Sequence, residues 1–354
     1  VTDLVGLAAR YVAIPSVSGE EAALADEIER ALREVRDLEV VRLGDNVVAR
    51  TTGDRTRRVL VAGHLDTVPG EQGVTVADDA VTGLGACDMK GSVAVMVALA
   101  TSGLAFASEL TWIFYAREEI ARTDSGLLEL AATKPSLLDG DVAIVCEPTG
   151  TVVEAGCQGV VRLRLVLRGE RAHTARPWRG RNAIHRLAGP LAAVAAYTPR
   201  AVELDGVEYT EQLQAVDVTG GVSGNVVPDL ATLTVNQRVA PDRSARDAVH
   251  ELRGTFAPFL EEGDALEELD VVDPAPPRLD DPTLARLVEL SGAPPRAKLG
   301  FTDVATFSAR GLPAANFGAG DPELAHHRGE FVRGDDLARC HDVLAALLTE
   351  DPRA

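Results

Sequence analysis

Between residues 20 and 148 the chain alternates two apolar patterns, and this alternation constrains its fold more than any other feature. EEAALADEIERALREV repeats apolar residues at helical spacing, whereas VVAR, RVLVAGH, LTWIFYA and DVAIVCEP are short apolar runs of strand length. A wholly apolar helix from Gly91 and a second helix near DSGLLELAA fall between the later strands. Strands separated by helices predict an α/β layer with a mostly parallel sheet. A chain of 354 residues exceeds what one core usually supports, so two domains are expected.

The texture changes near Gly159, where VVRLRLVLRG alternates apolar and basic residues in the manner of a half-exposed antiparallel strand. A helix over 182–197 interrupted by Gly189-Pro190, strands at 213–218 and 231–239, a helix in DRSARDAVHELRGTF and a strand in ELDVVD follow. That order fits a ferredoxin-like α+β module. The proline-rich DPAPPRLDDP then returns the chain to alternation through VATFSAR, LPAANFG and a last helix, DDLARCHDVLAALL. The expected domains are residues 1–158 with 271–354, and an insertion over 159–270.

Lys+Arg number 35 against Asp+Glu 54, and the resulting net charge of −19 repels nucleic-acid backbones and anionic membranes. Neither is an expected partner, although an anionic small molecule fits wherever arginines gather locally. The four cysteines lie far apart without a CxxC pair and are expected to be reduced thiols. VTDLVGLAAR lacks a basic, apolar leader, so a cytoplasmic location is expected. The run from Gly91 is broken by Ser, Thr and Gly, short of the ~20 residues that span a bilayer.

Chemistry-bearing residues collect at strand ends, where open α/β sheets hold ligands. VLVAGHLDTVPG delivers His64 and Asp66 to one strand face, a pairing that suits a metal ligand with its orienting partner. Glu118-Glu119 end LTWIFYA and Glu147 ends DVAIVCEP. A single histidine at a strand end is more often a hydrogen-bonded structural residue; three such ends together favour a site. Asp88 in GLGACDMKGSVA reads equally as a turn acid. The same stretch is not a phosphate loop, because Lys90 precedes Gly91 and the GxxxxGK[ST] register fails.

Adjacent Glu118 and Glu119 point to opposite sides of an extended backbone and are expected to have different jobs. With a divalent cation present, one carboxylate ligates while the other accepts a proton from water. GDPELAHHRGEF adds His326 and His327 in a loop, read equally as surface residues or ligands. His185, His250 and His341 lie in predicted helices and read as structural. One histidine and three carboxylates from the first segment plus one histidine from the last make five groups, a set suited to two Zn²⁺ ions, with Mn²⁺ or Co²⁺ as substitutes.

In RGERAHTARPWRGR, His173 stands among Arg171, Arg176, Arg179 and Arg181. The stretch reads equally as a solvated basic face or as a wall for a substrate carboxylate, with His173 donating to an oxyanion. Asn225 and Arg238 are further polar candidates.

The ordered set GHLDTVP, GxGACDMKG, REE, CEPT, RAHTARP, GNVVPD and AHHRGE resembles the co-catalytic zinc family of aminoacylases, acetylornithine deacetylases, glutamate carboxypeptidases and succinyl-diaminopimelate desuccinylases. EAGCQG, RAHTARPW, GGVSGNVVPDLATLTVNQRVAPDR and AKLGFTDVATF most resemble its actinobacterial succinyl-diaminopimelate desuccinylases. The resemblance implies that His64 binds one metal, Asp88 bridges two, and Glu119, Glu147 and His326 complete the set. His326 is chosen over His327 because it stands four residues before Glu330. Asp66 would hold the far nitrogen of His64, Glu118 would be the general base, and His173 would serve a partner's site across a homodimer formed by the inserted lid module. Asn225, Arg238, Gly300 and Thr302 match the family's substrate contacts. The implied reaction is hydrolysis of N-succinyl-LL-2,6-diaminopimelate, with a sister deacylase, a carboxypeptidase or an inactive metal-binding relative as alternatives. Two departures, Leu84 and Cys157-Gln158, stand where relatives often carry basic residues, and they bear on how a substrate carboxylate is held.

Overall fold

A computed structural model describes residues 3–70 and 73–350. The first two residues of VTDLVGLAAR lie outside the described residues, and its continuation forms a helix, Leu4–Val12, that the sequence reading did not anticipate. The chain divides into two compact units. The first runs to Gly156 and takes up Pro277–Arg296 and the chain from Asp303; the second holds Cys157–Pro276 and Ala297–Thr302.

The sheet of the first unit follows from its apolar runs. Arg58–His64 lies between Glu109–Tyr115 and Val142–Val145, parallel to both, and Ala314–Asn316 continues the parallel order beyond Val142–Val145. Helices pack on the faces of these strands, Gly91–Ala100 on Arg58–His64 and Glu109–Tyr115, and Val304–Ala309 on Val142–Val145 and Ala314–Asn316, which is why nearly every residue in these four is buried. The hairpin Leu38–Leu43 and Asn46–Thr51 closes one side antiparallel, and Glu154–Ala155 pairs antiparallel on the other. The result is the expected α/β class with a mostly parallel centre. Gly91–Ala100 forms the expected internal helix, with all ten residues buried, packed against Leu4–Val12 and the final helix Gly334–Thr349. No helix among the described residues is long and apolar enough to cross a membrane.

In the second unit the sheet order is Gln212–Gly220, Leu230–Val239, Gly159–Arg168 and Ala265–Val272, antiparallel throughout. With Ala188–Ala195 after the first strand and Ala245–Phe256 after the third, this is a βαββαβ unit. Its first strand resolves the alternation in the sequence. Val161, Leu163, Leu165 and Leu167 enter the core, while Arg162 faces Asp270 at 3.2 Å. The helix expected over 182–197 is shorter, because a 3₁₀ turn at His185–Leu187 precedes Ala188–Ala195. The 297–302 segment, placed by sequence with the first domain, clusters with the second unit. Two bonds account for this: Gln158 N donates to Lys298 O at 3.3 Å, and the Cys157 thiol donates to Thr302 O at 3.7 Å.

Candidate metal centre

The ends of the parallel strands and the irregular chain beyond them carry His64, Asp66, Glu118, Glu119 and Glu147, while Asp88 follows the antiparallel strand Ala80–Thr82. His64 is the last residue of its strand and is 1% exposed. Its Nδ1 faces the main-chain carbonyl of Asp66 at 3.0 Å, with the Asp66 carboxylate at 3.5 Å. The orienting partner is therefore chiefly the carbonyl, not the carboxylate expected from sequence. An Nδ1–H donated there leaves a lone pair on Nε2, which lies 3.0 Å from Asp88 Oδ1.

The Asp66 carboxylate has other work. Oδ1 accepts the Glu118 N–H and Oδ2 the Glu119 N–H, each at 2.9 Å, and Ser18 Oγ donates to Oδ2 at 2.7 Å. Burial would raise its pKa, but His64, Ser18 and these N–H groups bring it to about 2. Just before the pair, Arg117 adopts φ +60°, and its N–H donates to the buried Glu21 carboxylate at 3.0 Å. The chain thus turns out of its strand at a fixed point, and both glutamates leave from an anchored backbone.

Asp88 precedes the internal helix across a cis Asp88–Met89 peptide. The loop that carries it is held by Glu330, which is 1% exposed. Its Oε1 accepts Cys87 N at 2.7 Å and Asp88 N at 2.8 Å, and its Oε2 accepts Gly85 N at 3.1 Å. Sequence had used Glu330 only as a spacing mark. Its place before the strand Phe331–Arg333, which pairs with Ala80–Thr82, is what brings it under the loop. Lys90, excluded above from phosphate binding, is buried and donates to Ile14 O at 2.7 Å.

Ligand atoms of His64, Asp88 and Glu119 lie within 4.8 Å of one another. His326, at φ +63°, puts Nε2 2.7 Å from Glu119 Oε1 and 3.5 Å from Asp88 Oδ2. Asp88 therefore turns one oxygen towards each imidazole. Glu147 lies outside the three-group cluster; it is buried, two residues past Val142–Val145. His327 is exposed.

The electrostatics are those of converging anions. Burial pushes the Glu118 carboxyl well above its usual range, and the charges of Glu147, Asp303 and Glu119 add to this against the opposing pull of His64. Burial disfavours a charged His64 ring, but Asp66 and Asp88 outweigh it and raise its pKa well above a free imidazole's. Asp88 and Glu119 raise His326 to about 10.

This donor set fits divalent metal. Two imidazoles and several carboxylates offer nitrogen and oxygen with no thiolate, since Cys87 beside Asp88 is turned to Asp321 O at 3.0 Å. A lone pair on His64 Nε2 facing a carboxylate oxygen needs a proton or a cation between them. Groups sharing a tetrahedral ion at ~2.0–2.1 Å sit about 3.3 Å apart, close to the spacings here.

Comparison with known proteins decides the family. The profile of the peptidase family M20/M25/M40 matches residues 60–350. The chain belongs to this M20 family. A Mycobacterium tuberculosis protein provisionally named succinyl-diaminopimelate desuccinylase is 44% identical over 349 residues, 98% of each chain. The succinyl-diaminopimelate desuccinylase of Corynebacterium glutamicum is 40% identical, over 98% of this chain and 96% of its own. Among solved M20 folds, a dinuclear metal-binding peptidase of Bacillus subtilis aligns with TM-score 0.74 at 18% identity, covering 98% and 96% of the two chains.

The remaining residues named from sequence, His173, Asn225, Arg238, Gly300 and Thr302, belong to the second unit. His173 is exposed, pairs in register with Val226, and accepts the Ala175 N–H on Nδ1 at 3.0 Å. The Asn225 carbonyl accepts from Thr174 N at 3.1 Å. Arg238 is half-buried beside Arg162, and Thr302 is 3% exposed. The basic wall expected around His173 is partly neutralised, because Arg171 pairs with Asp229 at 2.7 Å and Arg181 with Glu261.

Proposed function

We propose that this chain hydrolyses N-succinyl-LL-2,6-diaminopimelate to succinate and LL-2,6-diaminopimelate, a step in lysine and diaminopimelate biosynthesis. The observation that carries the reading is 44% identity across 98% of both chains with the mycobacterial relative. The imidazole and carboxylate cluster supplies the chemistry an amide hydrolase needs.

In this reading His64, Asp88, Glu119, Glu147 and His326 would hold two zinc ions. The first unit forms the catalytic domain; the second, Cys157–Pro276 with Ala297–Thr302, forms a lid and the contact of a cytoplasmic homodimer. When bound, the ions supply Lewis-acid polarisation of the amide carbonyl and acidify water. Glu118 takes a proton from the attacking water as its oxygen adds to the carbonyl carbon. It returns that proton to the amine nitrogen as the C–N bond breaks. The burial that raises the Glu118 pKa strengthens it as a proton acceptor once ionised, and cations beside it would favour that ionised form. Asp66 holds Glu118 and Glu119 in place through their N–H groups. His173 of the partner subunit donates to the developing oxyanion, and Asn225, Arg238, Gly300 and Thr302 contact the substrate.

Turnover of the zinc-loaded protein on succinyl-diaminopimelate, acetylornithine and simple dipeptides tests the reading. The first is expected to be hydrolysed with the highest kcat/KM. Acetylornithine is included because an acetylornithine deacetylase of Myxococcus xanthus is 29% identical over 85% of this chain. Preference for another substrate would discard the assignment.

A further inference from the structure

Beside His326 the first unit has a cavity of about 720 Å³ that the proton transfers above do not use. Val68, Pro69 and Leu84 supply apolar lining; His326, His327 and Arg328 supply polar lining. No Asp or Glu is among its described lining residues. Arg328 is exposed and, among the described residues, has no carboxylate at ion-pair distance. Other arginines of the first unit differ: Arg333 pairs with Asp335 at 2.9 Å and Arg296 with Glu154 at 3.1 Å. In a chain of net charge −19, a guanidinium with no ion-pair partner among the described residues and so close to the metal-ligand candidates is placed to receive an anion.

The geometry points to this cavity as the subsite for the carboxylate end of the acyl group, with Arg328 as its counter-charge. This rests on the desuccinylase reading and deepens it. Arg328 follows His326 by two residues, so their Cα atoms are at most about 7 Å apart. A succinyl group carries its carboxylate only two methylenes beyond the scissile carbonyl, within reach of that side chain. Val68, Pro69 and Leu84 cover the methylenes, and the planar guanidinium matches the carboxylate. The diaminopimelate half is the poorer occupant, because it brings ammonium groups with its carboxylates and the Arg328 charge repels them. The subsite selects N-acyl amino acids whose acyl group ends in an anion over those with neutral acyl groups.

The metal-loaded protein and its Arg328→Ala and Arg328→Lys variants test this. Arg328 is exposed, so both variants are expected to fold, with Tm unchanged. Arg328→Ala is expected to raise KM for succinyl-diaminopimelate and the inhibition constant of succinate about tenfold or more. The inhibition constant of LL-diaminopimelate should stay within twofold, and Arg328→Lys should recover part of the loss. Unchanged succinate constants, or a loss confined to LL-diaminopimelate, would overturn the subsite while leaving desuccinylation intact. Calorimetric titration of succinate into the metal-loaded protein needs no turnover. Succinate binding that depends on Arg328 upholds the subsite even if the substrate panel rejects the reaction, and its absence overturns it.

Discussion

Glu330→Gln isolates what holds Asp88 in place. The wild-type carboxylate is 1% exposed and accepts three main-chain N–H groups, two on Oε1 and one on Oε2. Glutamine keeps the shape but replaces one acceptor oxygen with NH₂. In the better orientation its carbonyl oxygen serves Cys87 and Asp88, while the amide nitrogen meets the Gly85 N–H, donor against donor. One bond is lost and a buried donor is left unsatisfied, costing about 2–3 kcal/mol. The Gly85–Asp88 loop absorbs that cost, so the variant should bind metal about 10–100-fold more weakly, the range for disrupted partners of metal ligands. Calorimetric titration of chelator-stripped protein with Zn²⁺ reads this directly, and thermal unfolding of the same samples reads the global effect. A lower Tm with metal affinity within twofold of wild type would refute the reasoning, because Glu330 would then stabilise the fold without positioning Asp88.

Replacing Glu118 with Ala should lower kcat by about 10²–10⁴ while leaving bound metal, measured by elemental analysis, essentially unchanged. Chelation should abolish turnover and lower Tm, and added Zn²⁺ should restore both, since a ligand that binds only the native state stabilises it by mass action. Glu109, 3% exposed in its side chain, predicts an acid sensitivity remote from the centre. Burial would raise its pKa, but Thr51, Arg55 and the Gly53 and Arg55 N–H groups lower it from 4.5 to about 2. A depressed native pKa stabilises above the unfolded value and loses that contribution as pH falls towards the native one. The contribution above pH 4.5 is about 3 kcal/mol. Urea unfolding of wild type and Glu109→Gln should therefore diverge at pH 6 and converge only as the pH falls towards 2.

The parallel centre was legible because its strands are apolar on both faces. RVLVAGH was placed residue for residue, and the internal helix from Gly91 was recognised by its lack of any polar side. Strand ends also marked His64, Glu118, Glu119 and Glu147, since side chains that end a buried run in charge are conspicuous. What stayed hidden depends on contacts distant in sequence. Nothing near Glu330 reveals that it will lie under Gly85, 245 residues away, and nothing in HLD tells whether the ring nitrogen meets the Asp66 carbonyl or its carboxylate. Leu4–Val12 was missed for a related reason: its apolar face exists to cover the internal helix, and so has meaning only after packing.

The hidden residues share one physical task. Buried chain between regular elements has no ladder or helix partners, and its N–H groups must find acceptors inside the protein. Here buried carboxylates provide them: Glu21 for Gly19 and Arg117, Asp66 for Glu118 and Glu119, Glu330 for Gly85, Cys87 and Asp88. Each grips the main chain at or beside a candidate ligand, so the side chains converging on the site hang from fixed points. An amide carbonyl could accept the two N–H groups that meet on Glu21 Oε1, but where N–H groups reach both oxygens of one side chain, as on Asp66 and Glu330, only a carboxylate accepts them all. Asp66 and Glu330 are therefore expected to tolerate amide replacement poorly, and Glu21 better, even though none of them needs to touch a metal ion.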